Sequence, residues 1–513
     1  MSGKYLLGID VGTYSSKGVL TDEEGRVLAY HFVEHSTFSP RPGWYEHDAE
    51  QVWWGDLVKV ARALLEKANI NPADIAGVGM SALCADMLPL DEDGRPLRNA
   101  ILYGIDLRAT EEIAMLNREI GEEKIYEISG NALSNQSVGP KILWFRRNEP
   151  ELFLRARMIH SASSYLAYKL TGRSFLDYAT AAFFSPLFDI HRLVWDEEIC
   201  RFLEVPQEFL PETCWATGVV GGVTKEAAEA AGLAPGTPVI AGTVDAYAEA
   251  VSVGMVEAGE AVFSYGSTMN LLAPSDRLKL HPKLLATPYS LPNKYILVGA
   301  TATAGALTRW FRDNFAQVEM ETERNVGINA YHLLSDQAAE APPGSSGLLV
   351  LPYFAGERCP IWDAEARGLI LGLTLSHTRR HLYRALLEGT AYSLRHNLET
   401  FSEAGAQIGR VIASGGGTLS RTWLQIVSDV TGFDQELVAS TFGSPYGDAF
   451  LAGYGVGLFS DARPLRTTWV QKKDVVKANP ALKPLYDRYY QVYRKLYEKV
   501  KESMHTLARL SQE

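Results

Sequence analysis

Short apolar runs bounded by glycine and polar residues recur along the chain, and between them lie segments whose apolar positions repeat every three or four residues. The runs "VLAYHFVEH", "IAGVGMSAL", "GTPVIAGT", "EAVFSYGS", "YILVGATA", "GLLVLPYF" and "RVIASGGG" predict strands. "AEQVWWGDLVKVARALLEKA" and "SRTWLQIVSDVTG" predict amphipathic helices. Such alternation is the pattern of an α/β fold. Near the C-terminus, Tyr486, Tyr490, Tyr493, Tyr497, Val500, Met504 and Leu507 fall on one stripe of a long helix. That stripe is expected to pack into a core; a seam between two copies in a homodimer is the alternative.

The first strand signal, in "KYLLGIDVGTYSSKG" (4–18), places Asp10 at a strand end and follows it with a turn of small residues. Gly12 lacks the Cβ that would hold an anion away from the backbone, Thr13, Ser15 and Ser16 carry hydroxyls, and Lys17 adds a positive charge. The order suits a polyphosphate with a metal beside Asp10; a β-hairpin with a glycine turn is the plainer reading. "VFSYGSTMNLL" (262–272) echoes it, with Ser264 in place of Asp10. Two such turns facing each other would form a cleft, with a carboxylate on one side only.

Two more strand-to-helix passages carry chemistry. In "RVIASGGGTLSRTWLQIVSDVTG" (410–432), Gly415, Gly416 and Gly417 let the backbone approach something flat or charged before a helix capped by Ser420. The spacing is not G-x-G-x-x-G, which disfavours a dinucleotide. In "GTPVIAGTVDAYAEAVSVG" (236–254), Asp245 stands at a helix entrance, where it serves as a helix cap or as a general base.

A chain of 513 residues exceeds what one hydrophobic core usually organises. With no Ser/Gly tether, the boundary is expected to be a compact hinge, giving an N-terminal domain 1–247 and a C-terminal domain 248–513. The net charge of -12 argues against nucleic acid or an anionic membrane as partner. No apolar run is long enough to cross a bilayer and no leader is evident at "MSGKYLLGID". Cys84, Cys200, Cys214 and Cys359 are too scattered for a zinc site, and a reduced, cytoplasmic setting is expected. His377 and His381 have the spacing of H-E-x-x-H without its glutamate, so a zinc reading is rejected there too.

From about residue 5 to 460 the chain resembles the FGGY family of carbohydrate kinases, of the actin-like ATPase superfamily, and within it most resembles the xylulokinases. "GLILGLTLSHTRRHLYRALLEG" (368–389) fits the family's second signature at Gly368, Ile370, Gly372, Leu373, His381, Leu382, Ala385, Leu386, Leu387 and Glu388. "SGNALSNQSVGPKILWFRRNEPE" (129–151) resembles the first at Lys141, Ile142, Trp144 and Asn148, and departs from it at Gln136 and Val138. The resemblance implies two actin-like, ribonuclease H-like α/β domains flanking a cleft for nucleotide and sugar. It implies that Asp10 holds Mg²⁺ through water, and that Gly12, Thr13, Ser16 and Lys17 with Gly266, Ser267 and Thr268 hold the phosphates of ATP. Gly305, Gly415, Gly416 and Gly417 would line the adenosine, and Asp245 would be the catalytic base. A nucleotide-gated binding protein of the actin type, without sugar phosphorylation, is the rival class.

The sugar side is where the chain departs from its relatives. "RPGWYEHDAEQVWW" (41–54) is similar to a family loop whose tryptophan, here Trp44, would stack on a sugar. Where xylulokinases carry Met-His and glycerol kinases Arg-Glu, this chain has Cys84 and Ala85, followed by Asp86. "MLPLDEDGRPL", which follows, is similar to ribulokinases. Asp106 and Arg108 keep two members of the family's W-x-D-x-R segment, and Gly104 replaces the tryptophan. A roomier pocket is expected, formed by Trp44, Cys84, Ala85, Asp86, Asp106, Gln136 and Asp245. A ketopentose such as D-xylulose is the expected substrate, with ribulose or a short polyol as alternatives.

Overall fold

The computed structural model describes residues 4–439 and 442–511. Its framework is two mixed sheets with the same plan. In the first, β1 (Tyr5–Val11), β2 (Ser15–Asp22), β3 (Val27–Glu34), β4 (Ile75–Ala82), β5 (Val219–Gly222) and β6 (Pro238–Ile240) lie in the spatial order β3-β2-β1-β4-β6-β5. In the second, β7 (Glu260–Tyr265), β8 (Met269–Ser275), β9 (Tyr295–Ala300), β10 (Arg410–Ser414), β11 (Gln435–Val438) and β12 (Lys472–Val476) lie in the order β9-β8-β7-β10-β11-β12. Three antiparallel strands are followed by two parallel steps and an antiparallel edge in each case. The faint echo between the two glycine turns in the sequence is thus part of a repeat of a whole sheet.

The principal helices are α1 (Gly55–Ala68), α2 (Asp245–Ser252), α3 (Gly305–Phe315), α4 (Arg379–Glu403), α5 (Arg421–Thr431), α6 (Ser444–Gly455) and α7 (Lys483–Leu510). The amphipathic run from 49 begins as one wide turn, Ala49–Trp54, before α1 takes over. Ser420 caps α5, accepting from the Trp423 N–H, and Trp423, Ile426, Val427 and Val430 form its buried face. α4 runs through the second core. Its Glu388, a signature residue, is buried and accepts from Arg384, Ser345, the Gly344 N–H and the Tyr486 hydroxyl, so it fastens α4 to α7.

The aromatic stripe of α7 is core. Tyr486, Tyr490 and Tyr493 gather around Tyr392 of α4, and Tyr493 shares a hydrogen bond with Tyr353. Leu507, expected on that stripe, is 63% exposed, and Ala508 is buried in its stead. The tyrosines of the stripe are therefore covered within the chain.

Between the sheets lie α2 and α6, joined by a cluster that takes Leu6, Val19 and Val244 from the first half and Val262, Leu272 and Ile412 from the second. α6 comes from the C-terminal part of the chain yet rests on the first sheet. Gly8 and Gly79 are register partners on β1 and β4, and the α6 backbone lies directly on them. A Cβ at Gly8 would sit 1.9 Å from the Pro445 carbonyl oxygen, and one at Gly79 would sit 2.2 Å from that of Asp448. Because the obstacle is backbone, a Gly8→Ala exchange cannot be absorbed by a side-chain turn. It is expected to lower unfolding stability by about 3 kcal/mol, the upper range for overpacking, measured by urea titration; an unchanged midpoint would mean that α6 does not seat there.

Candidate active site

Each sheet ends its first strand in a hairpin at the cleft. In the first, the Gly12 N–H donates to the Ser15 carbonyl at 3.0 Å and Thr13 shares a hydrogen bond with the Tyr103 hydroxyl at 2.9 Å. Antiparallel register sets Lys17 opposite Asp10, with Nζ 3.6 Å from Oδ2. Burial raises the Asp10 pKa although Lys17 and a bond from Ser81 oppose the shift. Ser16, expected to hold phosphate, is instead fully buried and donates to Asp56, which also binds His35 and Lys59. Its side chain faces away from the cleft because neighbouring strand residues point to opposite faces.

The second hairpin, Gly266-Ser267-Thr268, is tied to the start of α3. The Ala304 and Ala306 N–H groups donate to the Ser267 carbonyl, and the Gly305 N–H donates to that of Gly266 at 3.0 Å. A Cβ at Gly305 would come within 2.5 Å of that carbonyl oxygen, which explains the glycine. Beside this hairpin a cavity of about 420 Å³ is lined by Tyr265, Gly266, Ser267, Gly305, Gly416 and Gly417. Tyr331, His332 and Ser335, marked by no sequence motif, also line it, as does Tyr383 from within the second signature. Thr268 and Gly415 do not line it; Gly415 takes a φ of +88° behind the wall, against the Tyr265 backbone.

Asp245 opens α2 without capping it. The cap position is Val244, and among the described residues the Asp245 carboxylate accepts only from the adjoining Ala246 N–H, at 2.6 Å. It is half-buried, and burial with the nearby Asp10 and Glu249 raises its pKa to about 7. Glu249, one turn further along α2, is raised by burial as well. The i, i+4 spacing of Asp245 and Glu249 was visible in the sequence and marks one helix face. Burial lowers the Lys17 pKa, but Asp10, Glu249 and Asp245 outweigh it and leave the ammonium firmly charged.

One ammonium among three carboxylates leaves an excess of negative charge, which a divalent cation arriving with a nucleotide would balance. Among the described residues no three His, Cys, Asp or Glu side chains are placed to hold a metal unaided. Both facts fit Mg²⁺, which keeps several waters and takes one or two carboxylates together with phosphates.

On the sugar side Cys84 lies near enough to Asp245 to feel its charge, and Trp44, Asp106, Ala85 and Asp86 are engaged in contacts of their own. Trp44 has the Arg108 and Arg41 guanidinium groups 4.3 and 4.8 Å from its ring centre and Trp144 edge-on at 5.2 Å, so it is already stacked. Asp106 accepts two bonds from the Arg108 guanidinium, one from the Arg108 N–H and one from that of Tyr45, which uses up both oxygens. Ala85 is fully buried, and its carbonyl accepts from Lys141 at 2.8 Å. Asp86 is also fully buried; Oδ2 accepts from the Ala162 N–H at 2.7 Å at the start of a helix, and Oδ1 has no partner among the described residues.

Part of the expected extra room is taken up. The Gln136 side chain lies over Gly104, where a Cβ would be 2.7 Å from Nε2. Gly104 and Gln136 are thus one exchange of volume, and Gln136 Oε1 is left without a partner among the described residues. Burial, Asp86, Asp177 and Asp245 together hold the Cys84 thiol well above its ordinary pKa. Sequence reasoning missed Asp177, which burial raises to about 7.

Two sequence models match the chain: that described as the FGGY family of carbohydrate kinases, N-terminal domain, over residues 5–252, and its C-terminal domain counterpart over 261–456. A xylulose kinase of Lactococcus lactis is 30% identical over 514 residues, covering 99% of each chain. A gluconokinase of Bacillus licheniformis is 28% identical over 88% of each. The solved structure of a xylulose kinase from Rhodospirillum rubrum superposes with a TM-score of 0.91 at 30% identity, covering 98% of this chain and 100% of the other.

Among the described residues nothing lies within 4 Å of a Cβ placed on Gly416, whereas one on Gly417 would strike Trp423 at 2.6 Å. Gly416→Ala is therefore expected to leave the melting temperature unchanged and raise the KM for a cavity-bound nucleotide about tenfold, as read by thermal melts and kinetics; an unchanged KM would place the nucleotide elsewhere. Because the folded Asp245 binds its proton more tightly than the unfolded chain does, its contribution to stability is present at low pH and lost as pH rises through about 7. Asp245→Asn is expected to melt above the wild type at pH 8, with the gap narrowing toward pH 5. A gap independent of pH would contradict the shifted carboxyl.

Proposed function

The chain belongs to the FGGY family of carbohydrate kinases, and from that premise we propose that it transfers the γ-phosphoryl group of ATP to a hydroxyl of a ketopentose, D-xylulose foremost. The observation that carries this is Asp245, an uncapped carboxylate poised near pH 7 beside the first glycine hairpin.

In this reading the adenosine occupies the cavity of Tyr265, Gly416, Gly417 and Tyr331. The phosphates cross toward the N–H groups of the two hairpins and Lys17. Asp10 would hold Mg²⁺ through water, and the ion would neutralise charge on the phosphates when bound. Asp245 accepts the proton of the sugar hydroxyl as its oxygen bonds to the γ-phosphorus; the bond from phosphorus to the β,γ-bridging oxygen breaks and ADP leaves. A pKa near the working pH suits that step, since the carboxylate is available yet basic enough to take a proton. Approach of the two halves about α2 and α6 would exclude water that otherwise hydrolyses ATP.

Charge supports a neutral sugar. Around Cys84 stand Asp86, Asp177 and Asp245, with the Lys141 ammonium held to the Ala85 and Asn135 carbonyls and lowered by burial to about 8. An aldonate would bring a further carboxylate into that field, which separates this chain from its relative called gluconokinase. We place the protein in the cytoplasm, which its four free cysteines support.

The test is a panel of pentuloses, short polyols and gluconate with Mg²⁺ and ATP. D-Xylulose is expected to give the highest kcat/KM and gluconate none, and Asp245→Asn to lower kcat by about 10² to 10⁴ without loss of nucleotide binding. A different leading sugar would reassign the substrate, and near wild-type turnover of the variant would remove Asp245 from the role of base.

A further inference from the structure

Asp448, on α6, is fully buried, and no part of the mechanism above uses it. It was also silent in the sequence. Its Oδ2 lies 2.7 Å from the Ser81 Oγ, and the same Oγ lies 3.1 Å from the Asp10 Oδ1. Ser81 is itself fully buried and stands opposite Asp10 in the parallel ladder of β1 and β4. One hydroxyl therefore lies between two carboxyl groups, one from each end of the chain.

A hydroxyl carries a single proton. It can donate to one carboxylate only, so the second contact is a hydrogen bond only when that carboxyl group donates to the oxygen. The surroundings decide which one holds the extra proton. Asp10 has the Lys17 ammonium 3.6 Å away, which favours its charged form. Burial, with the acidic Asp10 and Asp245 beside it, raises the Asp448 pKa well above the ordinary carboxylate range although hydrogen bonding from Ser81 opposes the shift. Its other oxygen, Oδ1, has no partner among the described residues. An unpartnered oxygen of a neutral acid costs far less than one of a buried carboxylate.

We propose that Asp448 is a positioning residue: a neutral acid that donates to Ser81, which in turn donates to Asp10 and fixes the orientation of that carboxylate toward the nucleotide's metal. The link to the metal rests on the reading of Asp10 given above; the protonation and the relay do not. The relay ties α6 to the strand end that faces the cleft, so the seating of the crossing helix also sets the Asp10 side chain.

The chemistry predicts an unusual rescue. Asparagine keeps a donor at the position, so Asp448→Asn should need the same Mg²⁺ concentration as the wild type to within about twofold, whereas Asp448→Ala and Ser81→Ala should each need about tenfold more, with the sugar KM unmoved. An Asp448→Asn variant as impaired as Asp448→Ala would overturn the proposal, since the negative charge would then be what matters. Infrared difference spectra of wild type minus Asp448→Asn at neutral pH give a readout free of catalysis. Loss of a protonated-carboxyl C=O stretch is expected, and loss of a carboxylate stretch instead would overturn the neutral acid. Should Asp448→Ala fail to fold in thermal melts, Ser81→Ala and the spectra still decide. A protein without kinase activity that nevertheless loses the protonated band would retain the relay and reject only the function.

Discussion

Helix α6 meets the first sheet backbone to backbone, on two glycines that face each other across β1 and β4, and the placement of the cleft residues follows from that contact. Without a Cβ at Gly8 and Gly79 the helix comes close enough for its Asp448 to reach Ser81. α2 packs against the same helix, where a Cβ on Gly447 would lie 2.0 Å from the Ala248 carbonyl oxygen. Asp245 at the head of α2 and Asp10 at the end of β1 are thus referenced to one rigid crossing. Interiors packed at this density do not deform gradually, so the spacing between base and phosphate hairpin is set by helix packing rather than by loops.

Electrostatics then selects what that geometry can do. Burial favours the neutral forms of Asp10, Asp245 and Glu249, and Lys17 supplies a cation that opposes the shift of Asp245. Such a site is under-neutralised until a nucleotide and its metal arrive, and it trades stability for a carboxylate poised to accept a proton. The second half holds no acid at the matching point, since Ser264 is next to last in its first strand as Asp10 is in β1. A repeated fold has therefore become asymmetric in chemistry, with the charged groups on one wall and an aromatic, glycine-lined cavity on the other.

Much of this was legible in the chain. The strand-turn pattern around Asp10 and its echo at Gly266 marked both hairpins because local sequence dictates a glycine turn at the end of an apolar strand. The helix beginning at Asp245 and the capped α5 were equally local. The sugar side was less legible for the opposite reason. Whether Trp44 is free to stack depends on Arg41, Arg108 and Trp144, and whether Gly104 opens a space depends on Gln136, a residue 32 positions away in sequence. Asp448 gave no signal because a single acid in a helix looks solvent-facing until the partner sheet is known. Ser16 failed on parity alone, as one step along a strand reverses the face.

The account stands on one claim, that ATP loses its terminal phosphoryl group to a sugar and not to water. Phosphorus NMR of the protein with Mg²⁺, ATP and D-xylulose reads both fates in one spectrum. The account predicts a sugar phosphomonoester resonance growing in step with ADP, and no ADP when the sugar is left out. Inorganic phosphate as the sole product, at a rate indifferent to sugar, would contradict it.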